Sequence, residues 1–416
     1  MTRAMPAPST ASAVSTPSAM TGDPEAAPSA EARPSAPALT DAAAGARVVR
    51  AGAGDEAALA EFYRQTWDAG ATEGSVRAAR RRAAVANTVE PGHEVPTFLF
   101  VAGGRVLGHV TTLPLRLWDG RQALPAYWLK GLMVLPEARN GPVGFLLLRE
   151  AVRQLPRAMA MVVAPEARRL FAALGFADLG ALDDRVRVLE PGRVLAALGT
   201  DGTELPAAAR RLLPRAVVRS RAACAVLGAA ARAALGGWCA LADSPPLHRG
   251  WILPELPPGE AHRLWVRARR ELAAAPCRDA ADLEARYGAG GYRWIGVRER
   301  GGLVALGVVR APSPAGDPRL GGVRMATLAD AVVAPGRGDA ARALLATAEL
   351  TARGLGADAL LCAASHASLA GPLRRRGYVR AGERVHALLR APGDALPPSA
   401  AAWWLTRGDG HADEVF

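Results

Sequence analysis

Lysine is all but missing from this chain. Of 51 basic residues one, Lys130, is a lysine, and asparagine occurs only at Asn87 and Asn140. This skew, with 44 glycines and 32 prolines, is what a genome rich in G and C imposes on codon choice. The net charge of +12 is therefore partly compositional, and it is weak evidence for an acidic partner. Aromatic residues make up 5% of the chain, and no segment interleaves them with basic ones as a nucleic-acid groove does, which argues against a nucleic-acid role. Cysteine is scarce and scattered. Cys224, Cys239, Cys277 and Cys362 form no CxxC pair, so no zinc site or disulfide framework is expected. The chain reads as one from a reducing, cytoplasmic setting with no bound metal. Long hydrophobic runs are rare too. The first twenty residues lack the apolar core of a secretion signal. The run 223–242 is mostly Ala and Gly and carries Arg232 near its centre, so it reads as a helix packed on a domain, not a membrane span.

What is present is ample apolar material. With 416 residues, 50% of them hydrophobic, two domains of ordinary size are the natural expectation. Residues 1–44 are Ala, Pro, Ser and Thr with hardly a large apolar side chain, which cannot offset the entropy of ordering; a disordered tail is expected. From Arg47 the texture changes. RVVRAG reads as a strand, and GDEAALAEFYRQTW as a helix capped by Asp55, with Leu59, Phe62, Tyr63 and Trp67 at helical spacing. Two β runs follow, joined at Gly103-Gly104, then a turn at Asp119-Gly120 and the strand YWLKGLMVLP. A helix, the strand AMAMVVAP, the short helix EARRLFAAL and a strand from GFADLG complete the first half.

The second half repeats this order. GEAHRLWVRARREL is an amphipathic helix, YRWIGVRERGGLVALGVVR a hairpin and VRMATLADAVVAPG a strand. DAARALLATAELTARGLG is a helix closed by glycine, ALLCAAS a strand, HASLAGPLRRR a short helix and GYVRAGERVHALLR a last long strand. An internal duplication is the simplest account. The expected organisation is a tail over 1–44, a first domain over 45–194, a linker helix region over 195–245 and a second domain over 246–416, each domain an α/β three-layer fold around a mixed sheet.

VLPEARNGPVGFLLLREAV, 134–152, joins a strand end, a turn with two glycines and a helix on which Leu147, Ala151 and Leu155 share a face. Backbone N–H groups of a helix's first turn, small residues and the positive end of the helix dipole together make an anion-binding site. The stretch resembles the acyl-CoA-binding motif of the GNAT superfamily of N-acyltransferases, Q/R-x-x-G-x-G/A between the fourth strand and the next helix. Arg139 takes the first place and Gly144 the last, while Pro142 stands where the middle glycine belongs. RRLFAALGF is similar to the superfamily's later helix with its Gly-Phe, here Gly175 and Phe176, and the opening strand and helix match in order; the resemblance spans about 46 to 190. AVVAPGRGDAARALL sits at the equivalent place in the second half. There Asp339 replaces the middle glycine, Ala341 takes the final place and Gly336 stands where Arg or Gln belongs, so a helix start capped by Asp339 is expected and not a phosphate site. RDAADLEARYGAGGYRW, 278–294, resembles segments of GNAT-like proteins that accompany polysaccharide genes.

The resemblance implies transfer of an acyl group from acetyl-CoA or another acyl-CoA to an amine. It implies cofactor contacts at Leu132, Met133, Val134, Arg139, Asn140, Gly141, Val143, Gly144 and Phe171. The superfamily's proton-donating tyrosine falls at Phe171 in the first half and Leu373 in the second, neither of which can donate. Candidate bases are His109, Lys130 and Glu137, with Asp330 on the matching strand of the second half; each also has a structural reading as a strand, turn or cap residue. Three functional readings stand at this level. One is an N-acyltransferase acting on a small amine or an amino sugar of a surface polysaccharide. Another is a non-catalytic tandem binding or scaffold protein, and the third a transferase using aminoacyl-tRNA as donor.

Overall fold

The computed structural model describes residues 45–200, 220–242, 249–381 and 385–415. The expected tail, 1–44, lies outside the described residues, as do 201–219 and 243–248 of the expected linker. The chain divides into two units, one holding 45–82, 96–111 and 131–150, the other the rest.

The first unit contains β1 (Arg47–Arg50), α1 (Glu56–Thr66), most of α2 (Glu73–Val85), β2 (Thr97–Ala102), and parts of β3 (Arg105–Trp118), β4 (Ala123–Val134) and α3 (Val143–Gln154). Its strands run in the order β1-β2-β3-β4. Gly103 and Gly104 join β2 to β3 with φ of +56° and +74°, the left-handed pair that a two-residue hairpin turn demands. Helix α1 packs Leu59, Ala60 and Phe62 against Leu99, Val106 and Leu135. Asp55 precedes it as expected, but its carboxylate accepts from the Gly52 N–H behind it (2.7 Å) and not from the helix. Helix α2 leaves little apolar periodicity to read. Val76 is its one buried residue, and arginines stand at 77, 80, 81 and 82. On β3, Gly108 has to be a glycine. A Cβ there would lie 2.7 Å from Val143 Cγ1 and 2.8 Å from Leu147 Cδ1, so α3 seats its first two turns directly on the strand.

In the second unit follow β5 (Ala158–Met161), α4 (Pro165–Ala173), β6 (Ala177–Ala181), β7 (Asp183–Val188), α5 (Pro191–Thr200), α6 (Arg221–Ala242) and β8 (Gly250–Leu253). Then come α7 (Pro258–Ala268), β9 (Ala275–Pro276), α8 (Ala280–Tyr287), β10 (Tyr292–Glu299), β11 (Gly302–Arg310) and β12 (Met325–Val333). The last elements are α9 (Gly338–Gly354), β13 (Ala359–Ala364), α10 (Ala367–Arg375), β14 (Val379–Arg380) and β15 (His386–Arg390).

The two halves exchange strands. One sheet runs β14-β7-β13-β12-β11-β10-β8, so β7 of the first half completes the sheet of the second. In the other sheet β4 pairs parallel to β5 through Tyr127 and Trp128, and β15 of the second half lies between β5 and β6. The expected single strand over 377–390 is therefore two strands in different sheets. The crossing is pinned locally: the Leu182 N–H donates to the Val385 carbonyl (2.8 Å), and Asp184 accepts from the Val385 N–H (3.2 Å) and from buried Arg407 (3.0 Å). Sequence periodicity carries no record of which sheet a strand joins.

The apolar run 223–242 forms α6, which packs on α5 through two glycines; a Cβ on Gly228 would lie 2.4 Å from the Gly192 nitrogen. Arg232 pairs with Glu190 at 2.7 Å. By length and composition α6 could cross a membrane, and 11% of its most apolar window is buried.

Candidate functional site

Strand β4 carries an irregularity near its C-terminal end. Gly131 adopts φ +62° inside the strand, a conformation that side chains with a Cβ rarely take. The carbonyl of Gly131 meets Nδ1 of His109 on β3 at 3.1 Å, and Nε2 of the same ring meets the Tyr63 hydroxyl on α1 at 3.1 Å. His109 is 1% exposed. Tyr63 stacks on Trp67 with ring centroids 4.3 Å apart, and Phe62 and Trp67 bring their rings within 6 Å of the imidazole. Burial pushes the His109 pKa down to about 4 and the Tyr63 phenol up to about 12, so both groups are neutral at pH 7. The Gly131 carbonyl can only accept, so Nδ1 carries the imidazole proton and donates to it, and the Tyr63 hydroxyl donates to the bare Nε2.

Past Gly131, β4 delivers Leu132, Met133 and Val134, all half-buried, to the turn. Leu135 is buried, Pro136–Ala138 form a single 3-10 turn, and the Gly141 N–H closes on the Ala138 carbonyl at 3.1 Å. Arg139 folds back so that Nε donates to the Val134 carbonyl (3.2 Å), leaving the rest of the side chain in solvent. Asn140, Gly141 and Pro142 are exposed. The Leu146 N–H donates to the Pro142 carbonyl (2.9 Å), which makes proline the cap and Val143 the first helical residue. The first-turn N–H groups of Val143, Gly144 and Phe145 have no intrahelical acceptor, and the positive end of the helix dipole lies behind them. Leu147, Leu148 and Ala151 are fully buried. Gly144 is not forced by the protein's own packing, since a Cβ there would meet nothing nearer than Val134 Cγ2 at 3.9 Å.

The remaining expected residues are Glu137, Lys130 and Phe171. Glu137 is exposed in the turn and stands 3.5 Å from Arg105 across the surface, a pair that contributes little. Lys130 and Phe171 belong to the second unit. Lys130 is half-exposed. Phe171 is 4% exposed and packs edge-to-face on Phe176 at 4.9 Å, a core contact. Tyr63 was legible in the sequence as a helix residue only. Its partner lies 46 residues away, and nothing local marks the pair.

In the second half the equivalent turn is filled from within. Arg337 forms a paired contact with both Asp339 and Glu299, which draws the Asp339 carboxyl well below its usual range. Arg337, and not the expected Asp339, is the residue that caps α9: its carbonyl accepts from the Ala341 N–H at 3.1 Å. Asp330 is neither a cap nor an accessible base. It is 1% exposed and accepts from Arg278 (2.7 Å), Tyr287 (3.0 Å), Thr406 (3.1 Å) and its neighbour's Ala331 N–H (2.8 Å). Arg278, itself fully buried, also donates to Asp409 (2.6 Å), and Arg286 donates to Asp409 at 2.9 Å. The segment 278–294 thus supplies an internal ionic cluster that ties down the C-terminal stretch around Thr406 and Asp409.

No family model matches the chain, and neither does any curated protein. Among solved structures it is similar to N-myristoyltransferase of Saccharomyces cerevisiae with bound myristoyl-CoA, at 11% identity and a TM-score of 0.51, covering 80% of this chain and 76% of that one. The same yeast enzyme with myristoyl-CoA and inhibitors aligns at 12% identity and a TM-score of 0.50, covering 86% and 82%. A GCN5-related N-acetyltransferase from Anabaena variabilis aligns at 10% identity and a TM-score of 0.48, covering 83% and 72%. The strand order of the first unit, the turn between β4 and α3 and the two alignments with the yeast enzyme agree on the architecture: the chain has a GNAT-like fold.

Proposed function

We propose that the protein is an acyl-CoA-dependent N-acyltransferase whose donor site is the β4–α3 turn of the first unit. The observation that carries this reading is the start of α3 beside the exposed turn residues Asn140, Gly141 and Pro142, where first-turn N–H groups, a glycine that internal packing does not require and the helix dipole converge at the end of β4. These are the requirements of a pyrophosphate site. The solved structures with bound myristoyl-CoA support the donor class. When bound, the thioester would supply an activated acyl group.

The chain's own residues do the rest. Val143 and Gly144 would donate backbone N–H groups to phosphate oxygens, and Arg139, in solvent beside them, adds positive charge. Leu132, Met133 and Val134 present the strand edge along which the donor's amide-rich arm would lie. Removal of the acceptor's proton falls to solvent, since Glu137 stands in the turn at the phosphate end of the strand. The acyl group tested first is acetyl, and the acceptor class an amine, including amino sugars. Because Arg337 and its two carboxylates fill the second turn, a single donor site per chain is proposed.

Titration calorimetry with acetyl-CoA tests the reading. Saturable binding by the native chain is expected, with loss of it in Gly144→Glu, whose carboxylate would stand among the phosphates. No heat and no thermal stabilisation at high acetyl-CoA and myristoyl-CoA concentrations would overturn it.

A further inference from the structure

We infer that Tyr63 and His109 are positioning residues, a hydrogen-bonded chain that fixes the Gly131–Leu132 peptide so that its N–H is directed at the acyl carbonyl of the donor. This rests on the donor site proposed above. His109 is enclosed to 1% exposure with both ring nitrogens engaged, so it cannot reach an incoming amine. What it does touch is a backbone carbonyl of the proposed donor strand. The left-handed conformation at Gly131 rotates the following peptide unit away from the regular strand pattern. In a planar trans peptide the C=O and N–H point in opposite directions. Holding the Gly131 carbonyl on Nδ1 therefore turns the Leu132 N–H away from His109 and fixes its direction.

Tyr63 acts one step further out. Its hydroxyl donates to Nε2, and only the tautomer with the proton on Nδ1 can then donate to Gly131. The stack on Trp67 holds the phenol in place. A preset N–H donor facing the carbonyl oxygen is what an acyl transfer needs where negative charge develops. A buried histidine used as a general base would instead require an open route from one ring nitrogen to solvent or substrate.

The experiment compares the native chain with Tyr63→Phe, which keeps the ring and its stacking, and with His109→Gln, which keeps a neutral polar group. Nitrogen-15 NMR of labelled histidine first reads the tautomer. Nδ1 protonation is expected in the native chain, and a proton on Nε2 there overturns the chain. Calorimetry then compares acetyl-CoA, which has the carbonyl, with CoA, which lacks it. Loss of one backbone hydrogen bond should weaken acetyl-CoA about 2- to 10-fold in either variant and leave CoA unchanged. The infrared carbonyl stretch of bound carbon-13-labelled acetyl-CoA should rise in the variants. Equal weakening of both ligands, or an unmoved stretch, overturns the positioning role even when binding is intact. Absence of binding in every form, native included, overturns the donor-site reading and this inference with it.

Discussion

Acid should loosen the first unit through one residue. His109 is enclosed by Phe62, Tyr63 and Trp67, and burial lowers its pKa from 6.5 to about 4. The folded state therefore refuses a proton that the opened state accepts. The sign follows directly. The stabilisation is complete above the opened-state value of 6.5, and it is lost as pH falls from there toward 4. A depression of that size corresponds to about 3 kcal/mol in full, of which about 2 kcal/mol is gone by pH 5. His109 is 1% exposed, so solvent screening takes little from this figure. The measurement is amide hydrogen exchange of the α1 peptide at several pH values, corrected for intrinsic rates, in the native chain and in His109→Gln. Carboxylates that titrate in the same window are common to both proteins and cancel in the difference. The opening free energy of α1 should fall about 2 kcal/mol more steeply between pH 7.5 and pH 5 in the native chain than in the variant. If the two profiles run parallel to within about 0.5 kcal/mol, His109 is not a desolvated neutral histidine and the reasoning fails.

Arg278→Met would leave Asp330 and Asp409 enclosed with Arg286 as their remaining guanidinium partner, and a loss of about 3 to 5 kcal/mol in urea unfolding is expected, partly recovered by adding Asp409→Asn. At the turn, Pro142→Gly restores the one N–H that proline lacks at the helix cap. Acetyl-CoA should bind about 10- to 100-fold more tightly by calorimetry if that N–H reaches a phosphate oxygen; unaltered or weaker binding would make the turn a rigid helix start only.

Much of the element order was legible because it depends on local chemistry. The Gly103-Gly104 hairpin, the leucine face of α3 and the glycine closing α9 after Gly354 each follow from a rule that operates within a few residues. Helix α2 was not legible, since its arginines leave one buried valine to mark a face. Asp55 is the cap of α1, though through its carbonyl and not its side chain, because its carboxylate is taken by the Gly52 N–H; the expected cap at Asp339 moves to Arg337, which holds the Asp339 carboxylate.

What the sequence by itself determined is the alternation of strand, turn and helix, and the small, dipole-backed turn from Arg139 to Gly144, because periodicity, backbone freedom and helix ends are properties of neighbouring residues. Tertiary structure decided what depends on residues far apart. It sent β7 and β15 into each other's sheets, where pairing is chosen by edge and not by propensity. It brought Tyr63 and His109 together across 46 residues and enclosed the imidazole, which turned a candidate base into a neutral link to Gly131. It also gathered Arg278, Arg286, Asp330 and Asp409 into one buried cluster, since a charge in a low-dielectric interior persists only where the fold supplies its partner.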